Sequence, residues 1–171
     1  MQEIIEKLLI LQDRDRRILR TREQLARVEP ERHLFQSKAS SAQAGLDAAK
    51  TKVKQAETDR KKLELDVDSK KLLIEKYALQ QFQTKKNEEY RALAHEIETC
   101  KEQITHLEDQ QLELMEQIES FQKQSAAAAR EAEESKKLAE AQLKDINARE
   151  QNLKGELSGL ETNRDQLTAD I

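Results

Sequence analysis

Apolar side chains return at alternating gaps of three and four along most of this chain. The first long run is Phe35, Ala39, Ala42, Leu46, Ala49, Val53, Ala56, Arg60, Leu63, Val67, Lys70, Ile74 and Tyr77, with Arg60 and Lys70 its polar members. A second run is Tyr90, Leu93, Ile97, Cys100, Ile104, Leu107, Gln111, Leu114, Ile118 and Phe121, interrupted by Gln111 alone. Repeats of this length and spacing predict supercoiled helices, because a 3.5-residue period keeps one seam facing a partner. Small residues carry the seam on through Ser125, Ala128, Ala132 and Ser135 to Ala139. Two gaps of four then follow, resetting the phase to Leu143, Ile146, Leu153, Leu157, Leu160, Leu167 and Ile171. That is a stutter, which locally unwinds a supercoil.

The N-terminal stretch reads as a separate seam, Ile4, Leu8, Leu11, Asp15, Ile18, Arg22 and Leu25, out of phase with the Phe35 run near Pro30. Proline removes a helical hydrogen bond and crowds the preceding turn, so a kink or break is expected there. Between the two long runs, Gln81 to Glu89 carries no seam in phase. Lys85 and Lys86 suit a helix C-terminus, Asn87 suits an N-cap, and Glu88 and Glu89 suit a first helical turn. The pattern therefore predicts an all-α fold: arm one over 1–82, a turn over 83–87, and arm two over 88–171, packed as a long antiparallel hairpin.

Reflection about that turn sets Tyr77 near Leu93, Val67 near Ile104 and Val53 near Ile118, and places the Pro30 discontinuity opposite Ala139. It also sets Arg22 opposite Glu150, two charges on apolar seams. Such a pair would penalise slipped registers more than it would stabilise the native one. Ala39, Ala42 and Ala49 fall opposite Ser125, Ala128 and Ala132, where little apolar area is available; a flexible waist is expected.

Composition agrees with the pattern. Charged residues make up 37% of the 171, with only three Gly, one Pro and no Trp, which suits long helices better than a globular core. The net charge of −4 is spread along the chain without a basic block, so strong nonspecific nucleic-acid binding is not implied. The opening "MQEIIEKLLIL" is broken by Glu3, Glu6 and Lys7 and is too short to span a bilayer; a cytoplasmic protein without membrane contact is expected. Cys100 has no second cysteine to pair with.

No phosphate loop, catalytic triad or HExxH sequence occurs. His33, His95 and His106 are isolated along the chain. The chain is therefore expected to be nonenzymatic, with no catalytic, cofactor-binding or metal residues of its own.

"LLILQDRDRRI" (Leu8 to Ile18), a proline a dozen residues later, "QTKKNEEYRALAHEIE" (Gln83 to Glu98) and "HLEDQQLELMEQIE" (His106 to Glu119) together resemble the bacterial coiled-coil/zinc-ribbon proteins. In that family a helical hairpin carries a small C-terminal four-cysteine zinc ribbon. Members are described as nucleic-acid-binding proteins; some are chaperones of the RpoN-type sigma factor in flagellar assembly, and a chlamydial relative is linked to type III secretion. The resemblance implies protein partners of that kind and zinc only in a ribbon. No CxxC pair occurs here, and the seam reaches Ile171 without a capping signal, as though a longer protein continued. The family's tip motif maps onto Asn87, Glu88, Tyr90 and Leu93, with Lys85 and Lys86 beside it, and its open-end residues onto Leu11, Gln12 and Asp15. A nucleic-acid-binding protein whose hairpin positions a ribbon, and a structural spacer, are the alternatives. Both a monomeric hairpin and a dimer fit the heptads.

Overall fold

The computed structural model describes residues 2–169. Two helices account for nearly all of them: α1 (Gln2–Gln83) and α2 (Asn87–Ala169), packed against each other as a hairpin. The reversal takes only Thr84, Lys85 and Lys86. The chain divides into two compact units, Ala44–Ala129 and Met1–Gln43 with Arg130–Ile171. Both boundaries fall inside the stretch of small seam residues.

In the unit containing the turn, Leu46, Ala56 and Val67 of α1 and Cys100 and Ile118 of α2 are buried. Val53, Leu63, Ile74 and Tyr77, with Leu93, Ile97, Ile104, Leu107, Leu114 and Phe121, are half-buried between them. The predicted seam is thus followed residue by residue, apart from two positions. Arg60 is exposed, with Asp59 partly covered in its place, and Tyr90 is half exposed. Two helices cannot enclose a side chain on all sides, so most seam positions stay half-covered.

In the other unit, Ile18, Thr21 and Val28 of α1 and Ala132, Ala139, Ile146, Leu153 and Leu160 of α2 are buried. Here the predicted α1 seam is corrected. Covered positions run Leu11, Arg14, Ile18, Thr21, Leu25, Val28, Arg32, Phe35 and Ala39, in unbroken gaps of three and four. Lettering the repeat with Leu11 and Ile18 at a, the d positions are Arg14, Thr21, Val28 and Phe35. The apolar pattern of the sequence instead runs through Leu8, Asp15 and Arg22, which stand at e. Polar d residues made the neighbouring line look like the seam. Thr21 sits there only 4% exposed because its hydroxyl donates to the Arg17 carbonyl oxygen at 2.9 Å, satisfying it within α1. Ile4 and Leu8 remain about half exposed, and Ile171 lies outside the described residues.

Pro30 does not interrupt α1. It stands at f and is exposed, so the carbonyl it deprives of a donor can be served by water. No phase break accompanies it, and the expected break is absent. On α2 the stutter is present: Gln142 and Leu143 share partial burial between buried Ala139 and Ile146. It has no counterpart at Pro30, which instead lines a groove with Arg149 and Leu153.

Candidate partner-binding surfaces

At the turn, the backbone explains the brevity of the loop. The Thr84 amide still donates to the Gln80 carbonyl at 3.0 Å, closing α1, and the Tyr90 amide donates to the Lys86 carbonyl at 3.0 Å, opening α2. Lys86 therefore occupies the cap position and Asn87 the first helical one. The side chain that serves the turn is Thr84, not Asn87. Its hydroxyl donates to Glu89 Oε2 at 2.7 Å and receives the Lys86 amide at 3.4 Å. Lys86 Nζ lies 3.2 Å from Glu89 Oε1. The Thr84 hydrogen bond, then Lys86, hold the Glu89 carboxyl below its usual pKa. Gln81 Nε2 donates across the hairpin to the Tyr90 carbonyl at 3.2 Å.

Lys85, Lys86, Asn87, Glu88 and Tyr90 are all exposed around this turn, and Leu93 is half-buried on the seam. Phe82, which sequence reasoning passed over, is 88% exposed. It follows a line of exposed leucines, Leu65, Leu72 and Leu79, at intervals of one heptad on the outer face of α1. A heptad-spaced line two residues off the seam is the signal that would have found them.

The predicted open-end residues lie in the other unit. Leu11 is half-buried on the seam, Gln12 is exposed, and Asp15 Oδ1 accepts from Arg164 Nε at 2.7 Å. Asp15 raises the Arg164 pKa further above its ordinary value. The predicted Arg22–Glu150 pair does not form. Arg22 Nη2 donates to Glu161 Oε1 at 2.7 Å, roughly three turns further along α2. Glu150 is taken by Arg32, with Nη2 to Oε2 at 2.5 Å, and by Lys154 Nζ at 2.7 Å. Arg32 also donates to Asn147 Oδ1 at 3.0 Å and pairs with Glu29, and Glu31 pairs with Arg149. Leu63 and Leu114 likewise line one groove, about two turns beyond strict reflection.

Side-chain direction explains the sign of these offsets. Helical side chains lean toward their own N-terminus. In an antiparallel pair, that lean moves contacts to higher residue numbers in both helices than the backbone levels alone give. Long Arg and Glu side chains move furthest. The seam also holds an unsatisfied polar atom: Arg14 Nε is buried without a hydrogen-bond partner.

Among the described residues, no group of three or more His, Cys, Asp or Glu is placed to hold a metal, and no helix is long and apolar enough to cross a membrane. Cys100 is a free, buried seam residue. The open features are shallow grooves along the helix pair. Fold and surface together define an antiparallel coiled-coil hairpin protein.

Within that class the family is specific. The profile of the CT398-like coiled coil hairpin domain matches residues 11–171, and the chain belongs to that family. Its fold is similar to the crystal structure of CT398 from Chlamydia trachomatis, with a TM-score of 0.87 at 18% identity, over 99% of this chain and 72% of that one. No curated protein matches this sequence. A zinc ribbon, anticipated from the resemblance, is not part of what these likenesses establish.

Proposed function

We propose that this chain is a nonenzymatic adaptor or chaperone-like protein that holds protein partners on the outer faces of its helices. The observation that supports this most directly is the heptad line Leu65, Leu72 and Leu79 leading to Phe82. The outermost positions of a two-stranded coiled coil ordinarily carry charge. Large apolar side chains there add nothing to the hairpin and are suited to a further helix laid against it. An RpoN-type sigma factor and secretion or flagellar components are the candidate partners, on the family resemblance of the tip and open-end motifs. A cytoplasmic location accords with that role.

The test is partner retention by the purified hairpin. Sigma factor and secretion components retained by the wild type and lost from Leu72→Lys or Phe82→Ser support the reading. Retention by neither overturns it. The nucleic-acid alternative would need Lys85 and Lys86 as phosphate contacts, but Lys86 is engaged by Glu89. RNA or DNA retention that the Lys85→Ala/Lys86→Ala variant abolishes would favour that alternative instead.

A further inference from the structure

Among the arginines of the unit formed by the two chain ends, five pair across the hairpin and three line one face of α1. Arg17, Arg22, Arg32, Arg149 and Arg164 each meet a carboxylate: Glu156, Glu161, Glu150, Glu31 and Asp15 respectively. Arg16, Arg20 and Arg27 are exposed, and among the described residues none has an ion-pair partner. Steps of four and seven keep these three on one exposed line of α1, at f and c. Leu19 and Leu34 stand beside them, 59% and 49% exposed. At Arg27 the line reaches the groove that Pro30, Leu34 and Leu153 line with apolar atoms and that Arg149 flanks from α2.

We propose that this face binds an acidic amphipathic helix of a protein partner, with one apolar side chain seated in the groove at Pro30 and carboxylates on Arg16, Arg20 and Arg27. The assignment rests on the adaptor reading above and gives it a site and a chemistry. Like charges a turn apart, such as Arg16 and Arg20, repel within an isolated helix, and carboxylates from outside relieve that repulsion. Guanidinium groups also favour carboxylates through paired donors. Aliphatic lining decides against a phosphate backbone. Leu19, Leu34 and Pro30 offer nothing to stack a base on. A helix with apolar residues at gaps of three and four and acids at its flanks matches both halves of the surface.

The experiment uses a labelled synthetic helical peptide with leucine at gaps of three and four and glutamate at the flanks, a counterpart with glutamine for glutamate, and poly-uridine RNA. Anisotropy titrations compare the wild-type chain with Arg16→Gln/Arg20→Gln/Arg27→Gln and with Leu34→Ser, each checked by circular dichroism. Binding of the glutamate peptide at least about tenfold tighter than the glutamine one, weakened by salt and by about tenfold in either variant, supports the assignment. Equal binding of the two peptides, binding of neither, wild-type affinity in both variants, or tighter RNA binding lost in the arginine variant overturns it. A sigma factor or secretion component retained equally by wild type and arginine variant overturns this surface and leaves the adaptor reading standing. Retention by neither overturns the adaptor reading itself.

Discussion

Arg32 of α1 and Glu150 of α2 meet on the seam itself, with 19% and 22% of their side chains exposed. The remaining ion pairs across the hairpin are at least two-fifths exposed on both sides, and surface pairs contribute little. This one is covered, hydrogen-bonded also to Asn147, and joined by Glu29 and Lys154. It takes the register-fixing part that the sequence pattern assigned to Arg22 and Glu150. Arg32→Ala and Glu150→Ala should each lower the melting temperature, and the double variant should lower it less than the two effects added. Additive effects would show that the two are uncoupled.

Its pH dependence has a definite sign. Hydrogen bonds from Lys154, then Arg32, hold the Glu150 carboxyl below its ordinary value of 4.5. A carboxyl whose folded pKa is depressed contributes stability that is present in full above the unfolded value and is lost as pH falls through the folded one. Glu89 and Glu133 are shifted the same way, by Thr84 and Lys137 first. Melting temperature should therefore hold steady from neutral pH down to the ordinary carboxylate range and fall below it. Glu150→Gln should flatten part of that fall. A variant whose acid profile tracks the wild type would show that the pair is not among its causes.

How much of this was legible in the sequence depended on side-chain polarity. From Phe35 to Phe121 the seam consists mostly of apolar residues, and the pattern located both arms and the turn to within a residue or two. At Arg14, Thr21 and Arg32 the seam is polar. The apolar positions there follow the e line, which mimics a phase break near Pro30. Thr21 hides its hydroxyl in its own helix and Arg32 finds Glu150, and neither compensation is visible from spacing. The outer-face leucines are legible as a heptad-spaced line off the seam, but that Arg16, Arg20 and Arg27 lack an intramolecular ion-pair partner requires coordinates.

Thr84 offers a local test. Its hydroxyl serves both the Glu89 carboxylate and the Lys86 amide, so Thr84→Ala removes the side-chain cap of a three-residue turn. A loss of about 1 kcal/mol is expected, as for helix caps generally. Amide exchange should quicken at Lys86 to Tyr90 and stay unchanged far from the turn. Asn87→Ala should cost much less, since Asn87 lies inside the first turn. The reverse ranking would restore Asn87 as the cap.

Val28 is the most enclosed large side chain of its unit, 2% exposed at a d position. Val28→Ala removes two methyl groups at about 0.8 kcal/mol each and leaves a void the neighbours cannot fully close. A loss of about 2 kcal/mol in urea denaturation is expected. Leu19→Ala, on the outer face, should cost under about 0.5 kcal/mol. Equal costs would mean the corrected seam is misplaced.

Pro30 gives the sharpest contrast between helix and kink. An internal proline costs an α-helix about 3 kcal/mol through its missing donor and its clash with the turn before it. Here α1 continues through it at an exposed f position. Pro30→Ala restores the hydrogen bond to Ala26 without removing core packing. Proline also restricts the unfolded chain, and relaxing that restriction gives back about 1 kcal/mol. The net expectation is a stabilisation of about 2 kcal/mol, read as a higher denaturant midpoint with an unchanged slope. Destabilisation by a similar amount would show that α1 depends on the proline, as a true break would.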